Sequence, residues 1–358
     1  MVAQPVALTL GTDCSGIDAV AAALSRLGIT PEYEFASDID PCCRRLMETS
    51  PHPRPKVISP DACARKEHPP TVDLYVAGPP CQSFSGLGFK RGLNDDRTSV
   101  LCTVLDYIAT RQPTVFVIEN VKALLSNDDG ESWAELRRTL DGIAGDDGEP
   151  AYQMDWEVLS PHQMGWPQSR QRLFIVGRHR GKLGKDAATP FPWLGTSNHP
   201  DPPVALQDLL QPNEQALEED AFSFHPVTPK GTACLDIVRD RLLQKGIDYS
   251  ATRPQICDPH VSRGRLRLPQ DGVCLCLTTR SQQLFVLGRE RYITPRDALA
   301  LMGFRPEQDF AAPTLAAIPR RHIFRLAGNS MVVPLMARIL APLVEMLTRT
   351  KTATPRGL

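Results

Sequence analysis

Cys81 stands in Gly78-Pro79-Pro80-Cys81-Gln82-Ser83-Phe84-Ser85, directly after the apolar run Asp73–Ala77. Two prolines restrict the backbone there and hold the residue rigidly. The thiolate is the nucleophilic form of cysteine, and a helix N-terminus or a nearby cation favours it. Most cysteines of a reduced protein are inert core residues, and Cys42, Cys43, Cys102 and Cys234 read that way. Cys274-x-Cys276 has the spacing of a metal pair, but no second pair or nearby histidine completes a zinc site. Glu119-Asn120-Val121 follows the apolar run Val115–Ile118. A carboxyl at a strand end in an apolar pocket holds its proton more tightly and can share it with a ring nitrogen. Arg170 and Arg172, in Gln168-Ser169-Arg170-Gln171-Arg172, directly precede the strand candidate Leu173–Val176. An arginine there can bind a ring carbonyl, orient Glu119 or contact phosphate, against the bland alternative of a surface ion pair.

A second group suits a ligand without phosphates. Asp13-Cys14-Ser15-Gly16 follows the first apolar run, and its small residues let a backbone approach a ligand near a helix N-terminus. The loop is not GxGxxG, and Asp18 would repel a phosphate. Asp38 ends the second run and is placed to accept hydrogen bonds from ribose hydroxyls. Asp61 ends the third and is placed to accept one from an adenine amino group. A nucleoside without phosphates fits S-adenosylmethionine. Either aspartate could instead cap the following helix.

These residues need a scaffold that collects strand ends. Val6–Leu10, Tyr33–Ala36, Val57-Ile58, Asp73–Ala77, Val115–Ile118 and Leu173–Val176 read as strands. Ala19–Leu27, Ser99–Ala109 and Trp133–Leu140 read as helices between them. The alternation predicts an α/β fold with a doubly wound, mostly parallel sheet, in which ligands bind beyond the carboxyl ends of the strands. From about Gly177 to Glu290 the alternation is lost, which predicts a smaller irregular domain. Arg253–Arg296 carries eight arginines against three acids. Thr294 and Pro295 are the N-cap and first residue of a predicted helix. Met331, Leu335, Met336, Ile339, Leu343, Val344 and Leu347 share one face of another.

Composition narrows the class. The 358 residues are 42% hydrophobic and 23% charged, which excludes a disordered or collagenous chain. A net charge of -1 excludes a uniformly basic coat but not a local basic face. Ten cysteines without framework spacing suit a reducing cytosol. No apolar run is expected to reach the roughly 18–20 residues of a membrane span, and the N-terminus lacks a charged segment and cleavage site.

In its motifs and their order the chain resembles the C5-cytosine-specific DNA methyltransferases, with a match over nearly the whole chain apart from about 180–270. Thr12–Ala19 resembles the cofactor-loop motif, and Ser37-Asp38-Ile39-Asp40 and Asp61 the next two. Gly78–Ser85 carries the Pro-Cys-Gln motif, Glu119-Asn120-Val121 the Glu-Asn-Val motif and Gly165–Gly177 the Gln-x-Arg-x-Arg motif. Arg291–Phe304 resembles the motif supporting the recognition domain, and Gly328-Asn329-Ser330 the final one, which returns to the cofactor pocket.

The resemblance implies a Rossmann-like class I S-adenosylmethionine-dependent methyltransferase. Residues 1–180 are expected to form the catalytic and cofactor domain, 181–290 target recognition, and 291–350 supporting helices. It implies that Cys81 adds to C6 of a flipped cytosine, that Glu119 assists at N3 and the exocyclic amine, and that Arg172 binds O2. Asn120 would hold the loop, and Arg170 joins the catalytic set. Asp13, Cys14, Ser15, Gly16, Ile17, Asp38, Ile39, Asp61, Ala62, Pro80, Asn329 and Ser330 are the expected cofactor residues. Gln82, Ser85, Gln168, Arg263, Arg265, Arg267, Thr279 and Arg280 are expected at the DNA. The three alternating arginines would share one face of a strand.

Two positions depart from the family. Cys14 replaces a usual aromatic and Asp18 a usual glycine. Asp18 could bind the cofactor's amino group or indicate an altered cofactor. Cys276-Leu277-Thr278 and the absence of a proline after Asn329-Ser330 resemble the transfer-RNA branch. Ser83-Phe84-Ser85 and Thr278-Thr279 are of the DNA type, which favours double-stranded DNA over tRNA. A non-catalytic DNA-binding relative is the remaining alternative, which the intact Cys81, Glu119 and Arg172 argue against. The expected setting is a monomer in the cytoplasm, at the nucleoid of a prokaryote or encoded by a phage. A cognate restriction endonuclease is a possible partner, and neither a metal nor a membrane is expected.

Overall fold

The computed structural model describes residues 7–80, 100–193, 203–261, 268–269 and 271–353. Cys81, Gln82, Ser85, Arg263, Arg265 and Arg267 lie outside the described residues. Contacts divide the chain into two units. The first comprises Met1–Leu159, Gln171–Thr196 and Met336–Leu358, and the second Ser160–Arg170 and Ser197–Leu335.

The first unit is built on β1 (Thr9–Asp13), β2 (Glu32–Ser37), β3 (Val57–Ser59), β4 (Leu74–Ala77), β5 (Val115–Val121), β6 (Tyr152–Leu159) and β7 (Arg172–His179). They form one sheet in the order β3-β2-β1-β4-β5-β7-β6. β1 pairs in parallel with β2 and β4, β2 with β3, and β4 with β5. β7 runs antiparallel to both β5 and β6. The helices α1 (Ala19–Arg26), α2 (Pro41–Glu48), α3 (Val100–Arg111) and α4 (Glu131–Asp141) lie between strands in the chain. The expected α/β, mostly parallel architecture is therefore present. Strand order reverses between β1 and β4, which makes the carboxyl ends of those two strands the switch point where such sheets take ligands.

The central strands owe their place to their composition. Val115, Phe116, Val117 and Ile118 are fully buried, as parallel strands covered on both faces require. Phe116, Tyr75, Tyr107 and Phe35 anchor a core shared with Val104, Ile108, Leu136 and Leu140. Gly177 on β7 lies against the Phe116 ring, where a Cβ would collide with it.

Three boundaries differ from the sequence expectation. Asp13 is the last residue of β1, Glu119 and Asn120 lie inside β5, and Arg172 is the first residue of β7. Ladder pairing with β7 extends β5 past its apolar run to Val121. The strand β6 was not anticipated. Its sequence YQMDWEVL is polar at Gln153, Asp155 and Glu157, as suits an edge of the sheet.

The second unit holds α5 (Pro229–Gln244) and a small antiparallel sheet of β8 (Gln255–Cys257), β9 (Phe285–Leu287) and β10 (Arg291–Tyr292). Leu235, Val238 and Leu242 of α5 pack with Cys257, Phe285, Leu287 and Tyr292. Next come α6 (Pro295–Leu301) and α7 (Arg320–Asn329). The expected cap at Thr294 is a reciprocal box: its Oγ1 accepts the Asp297 N–H at 3.0 Å while Asp297 Oδ2 accepts the Thr294 N–H at 2.9 Å.

The final helix, α8 (Val333–Ala353), belongs to the first unit from Met336 onward. The stretch Arg320–Thr352 is long enough, and over an 18-residue window with a mean hydropathy of 1.6 apolar enough, to cross a membrane, which corrects the expectation that no segment is. It is broken into α7 and α8 around Ser330; of the predicted face, Leu335, Met336, Ile339, Leu343, Val344 and Leu347 are buried, as in a core helix, whereas Met331 precedes α8 and is half-buried.

Candidate active site

In the first unit, β5 and β7 bring the acid and an arginine together. Arg172 is opposite Val121, and Glu119 lies two residues back on the same face, so the two side chains meet diagonally across the ladder. Arg172 Nε lies 3.2 Å from Glu119 Oε1, and both side chains are largely buried. Arg172 Nη1 also donates to the Gln171 carbonyl at 2.8 Å. Of the roles open to this arginine, the contact is the one that orients the Glu119 carboxyl. Asn120 points to the other face and is buried. Its Nδ2 donates to the Pro79 carbonyl at 3.1 Å, and its Oδ1 accepts the Val121 N–H at 2.8 Å. Asn120 therefore fastens the end of β5 to the Pro79-Pro80 segment, two residues before Cys81. Pro80 itself is exposed.

At the switch point, the segment after β1 is folded by alternating left-handed residues: Cys14 (φ 52°), Gly16 (φ 58°) and Asp18 (φ 62°). The aspartate thus occupies, in a backbone that favours glycine, a position where the family usually has one. The Ser15 N–H donates to the Ser37 carbonyl at 2.9 Å, and the Gly16 N–H to Asp38 Oδ2 at 2.7 Å. Asp38 Oδ1 accepts the Asp40 N–H at 2.8 Å. Asp38 does not cap α2; Asp40 does, through the Cys42 N–H at 2.9 Å. Burial pushes the Asp38 carboxyl upward. It likewise raises the Cys14 thiol, reinforced by Asp13 and Asp38, so Cys14 stays protonated. Ile39 follows with 80% of its surface exposed. Asp61 accepts the Cys63 N–H at 2.8 Å, and Ala62 and Ile17 are buried. A large apolar side chain left open beside a half-buried carboxylate fits the base and ribose of a nucleoside. Gly16 has open space where a Cβ would stand, so these residues suit S-adenosylmethionine.

Asp13 is fully buried, and its carboxylate serves the scaffold. It accepts from Ser37 Oγ at 2.6 Å, from Tyr75 Oη at 2.7 Å and from Arg65 Nη2 at 2.7 Å. Sequence reasoning missed Arg65, Tyr75, Thr12 and Tyr33. Arg65 is 52 residues from Asp13, and no local pattern marks it as a partner.

In the second unit, Arg170 is 4% exposed. Nη1 donates to the carbonyls of Leu277 and Gly328, each at 3.0 Å, and Nη2 to that of Ser330 at 2.8 Å. The guanidinium gathers two backbone segments, at Leu277 and at Gly328–Ser330. Gln168 is fully buried, and its Nε2 donates to the Leu301 carbonyl at 3.1 Å. Gly328 approaches the backbone of Thr278 and Thr279 so closely that no Cβ fits. Thr279, Arg280 and Asn329 are exposed, and Ser330 is buried.

Compared with known proteins, residues 14–345 match the sequence profile described as C-5 cytosine-specific DNA methylase. The Type II methyltransferase M.BsuFI of Bacillus subtilis is 28% identical over 284 residues, 78% of this chain but only 59% of that protein. M.NgoBI, a Type II methyltransferase of Neisseria gonorrhoeae, is 26% identical over 324 residues, 90% of this chain and 88% of its own. Among solved structures, the S. pombe Dnmt2 methyltransferase superposes with a TM-score of 0.52 over 94% of this chain and 98% of its own. Its 18% identity makes that a likeness of fold.

Proposed function

Since the chain belongs to the C-5 cytosine-specific DNA methylase family, we propose that it methylates C5 of cytosine in double-stranded DNA, with S-adenosylmethionine as donor. The observation that carries this is the arrangement around β5, where Glu119 meets Arg172 at 3.2 Å and Asn120 ties the strand to the segment leading into Cys81.

Cytosine C5 is a poor nucleophile. The Cys81 thiolate adds to C6, and the electron pair displaced onto C5 makes that carbon enamine-like. Glu119 shares a proton with N3 and accepts from the exocyclic amine, while Arg172 holds the O2 carbonyl and keeps Glu119 oriented. Asn120 keeps the Pro79-Pro80 segment, which leads into Cys81 in the sequence, against the end of β5. When bound, S-adenosylmethionine supplies an electrophilic methyl group. Loss of the C5 proton to a base and elimination of the Cys81 thiolate restore the aromatic ring and free the enzyme.

The cofactor is proposed to lie over Cys14–Ile17, Asp38, Ile39, Asp61 and Ala62, with Asp13 bracing the loop from below. Pro80, Asn329 and Ser330 complete the proposed cofactor set by family order. Inside a duplex the target atoms are inaccessible, so the base is extruded, at about a few kcal/mol for unstacking. Arginine contacts to phosphate from Arg263, Arg265, Arg267 and Arg280 offset that cost, with Gln82, Ser85 and Thr279 also at the DNA. A monomer acting in the cytoplasm on DNA, with or without a cognate endonuclease, belongs to the same proposal.

The test is incubation with S-adenosylmethionine and duplex DNA carrying 5-fluorocytosine, with tRNA assayed in parallel. A covalent DNA adduct mapped to Cys81 is expected. Methyl transfer to tRNA alone moves the substrate to RNA, and transfer to neither refutes the proposal.

A further inference from the structure

Asp18 is a carboxyl for which the proposed chemistry has no use, and it is 5% exposed. Its Oδ1 accepts the Ala21 N–H at 3.2 Å and lies 3.3 Å from Tyr33 Oη. Among the described residues its Oδ2 is buried without a hydrogen-bond partner. From Tyr33 a file of hydroxyls leads into the loop after β1. Tyr33 Oη is 2.6 Å from Thr12 Oγ1, which is 2.5 Å from Ser15 Oγ, and Ser15 Oγ is 3.1 Å from the Ser37 carbonyl.

Counting protons along this file gives two states. The Ser37 carbonyl only accepts. With a proton on Asp18 Oδ1, the oxygen that faces Tyr33, four donors fill four contacts, running Asp18 to Tyr33 to Thr12 to Ser15 to Ser37. With Asp18 charged, Tyr33 must donate to the carboxylate, and three hydroxyl protons are left for four contacts. An unfilled contact at 2.5 or 2.6 Å would press two oxygen lone pairs together. The 3.3 Å contact to Asp18 is held by the charge of the carboxylate, so of the other three the longest, between Ser15 and Ser37 at 3.1 Å, gives way. Thr12 then donates to Tyr33 and Ser15 to Thr12, which frees the lone pairs of Ser15.

We propose that Asp18, Tyr33 and Thr12 form a reversible hydrogen-bond relay through which the proton on Asp18 sets how well Ser15 accepts the ammonium group of S-adenosylmethionine. The inference rests on the reading that this loop holds that molecule. Other titratable groups around Asp18 fit the assignment. Burial pushes Tyr33 well above its ordinary range, so it remains a phenol, and His52 favours the charged form of Asp18. Burial raises Asp18 to about 6, which places the change of state within the working range of a binding assay.

The experiment is calorimetric titration of the full chain with S-adenosylhomocysteine, which carries the same ammonium group, between about pH 5 and 7, together with a carboxyl carbon NMR titration of Asp18. Wild type is compared with Asp18→Asn, which tolerates the left-handed backbone, and with Tyr33→Phe and Thr12→Val, which cut the relay at different links. Affinity of the wild type should rise roughly two- to tenfold with pH, the worth of one hydrogen bond. All three variants should lose that rise, while Asp18 still titrates in Tyr33→Phe. By reciprocity, bound ligand should lower the midpoint of Asp18 in the wild type. A pH-independent affinity, or an unchanged slope in Tyr33→Phe and Thr12→Val, overturns the relay alone. Failure to bind at any pH overturns the reading of the loop and the relay with it.

Discussion

Replacing Arg170 with methionine separates two roles for the residue. The sequence suggests a guanidinium facing a ring or a phosphate, whereas the structure turns it onto the carbonyls of Leu277, Gly328 and Ser330. A hydrogen bond from a charged group is worth about 1.5–3 kcal/mol, so three amount to roughly 4–9 kcal/mol gross. Removing the cation also removes its desolvation cost of several kcal/mol. What remains is the penalty of leaving buried carbonyls unpaired, about 3–5 kcal/mol in all. Arg170→Lys should recover only part of this, because a compact ammonium cannot span three carbonyls in the guanidinium geometry. Urea unfolding followed by circular dichroism reads the difference directly. Methyl transfer by the folded fraction of Arg170→Met should stay within about tenfold of wild type, a loss of roughly 1.4 kcal/mol or less in the barrier. Stability within about 1 kcal/mol of wild type, a single ordinary hydrogen bond, would show the three contacts to be dispensable. A folded variant without activity would show that Arg170 touches the reacting groups.

Other substitutions test other links. Cys81→Ala should abolish methylation yet bind S-adenosylhomocysteine like the wild type; retained turnover ends the thiolate mechanism. Glu119→Gln should slow methyl transfer on the order of 10²–10⁴-fold in single-turnover assays, the usual worth of a general acid, and an unchanged rate removes Glu119 from the chemistry. Asp297→Ala leaves fully buried Arg291 without its 2.6 Å partner and strips the cap from Thr294, so a loss of about 3–5 kcal/mol is expected in urea unfolding; a loss under 1 kcal/mol contradicts the role given to the pair. Asp18, raised by burial to about 6, keeps its proton in the folded chain where the unfolded chain has released it. Stability should therefore fall as pH rises from about 4 to 6, by on the order of 3 kcal/mol from this group. Asp18→Asn should flatten that part of the profile, and an identical profile contradicts the burial of an unpaired oxygen.

Much of the first unit was legible because its strands are apolar runs that end in polar loops. β4 and β5 are buried on both faces, and their uninterrupted runs Leu74–Ala77 and Val115–Ile118 leave little choice of state. β6 escaped notice because an edge strand alternates with solvent, and Gln153, Asp155 and Glu157 break its apolar signal. The helix α5 was hidden among prolines and charges, although Thr228-Pro229 caps it and Cys234, Leu235, Val238 and Leu242 follow at helical spacing. Direction of pairing is a further loss: nothing in Leu173–Val176 says that β7 runs against β5. Yet that reversal puts Arg172 beside Glu119. Had the strand run parallel, its first residue would sit at the opposite edge of the sheet from the end of β5.

Side-chain roles were harder to read than backbone positions, and Arg170 and Arg172 explain why. The two are separated by one residue and carry the same donors, so composition and spacing treat them alike. Their environments do not. Arg172 enters β7 opposite Val121, on the face that carries Glu119, and meets a carboxylate. Arg170 falls before the strand and spends its donors on carbonyls in its own unit. The same logic applies to the acids at the switch point. Asp13 is the last ladder residue of β1 and is consumed by Ser37, Tyr75 and Arg65, whereas Asp38 lies one residue beyond β2 and keeps a partly open carboxylate. A shift of one residue relative to a strand end decides whether an acid braces the sheet or stays partly open. Strand ends are the least certain boundaries in a sequence reading, so the roles of residues beside them become readable only once the ladders are known.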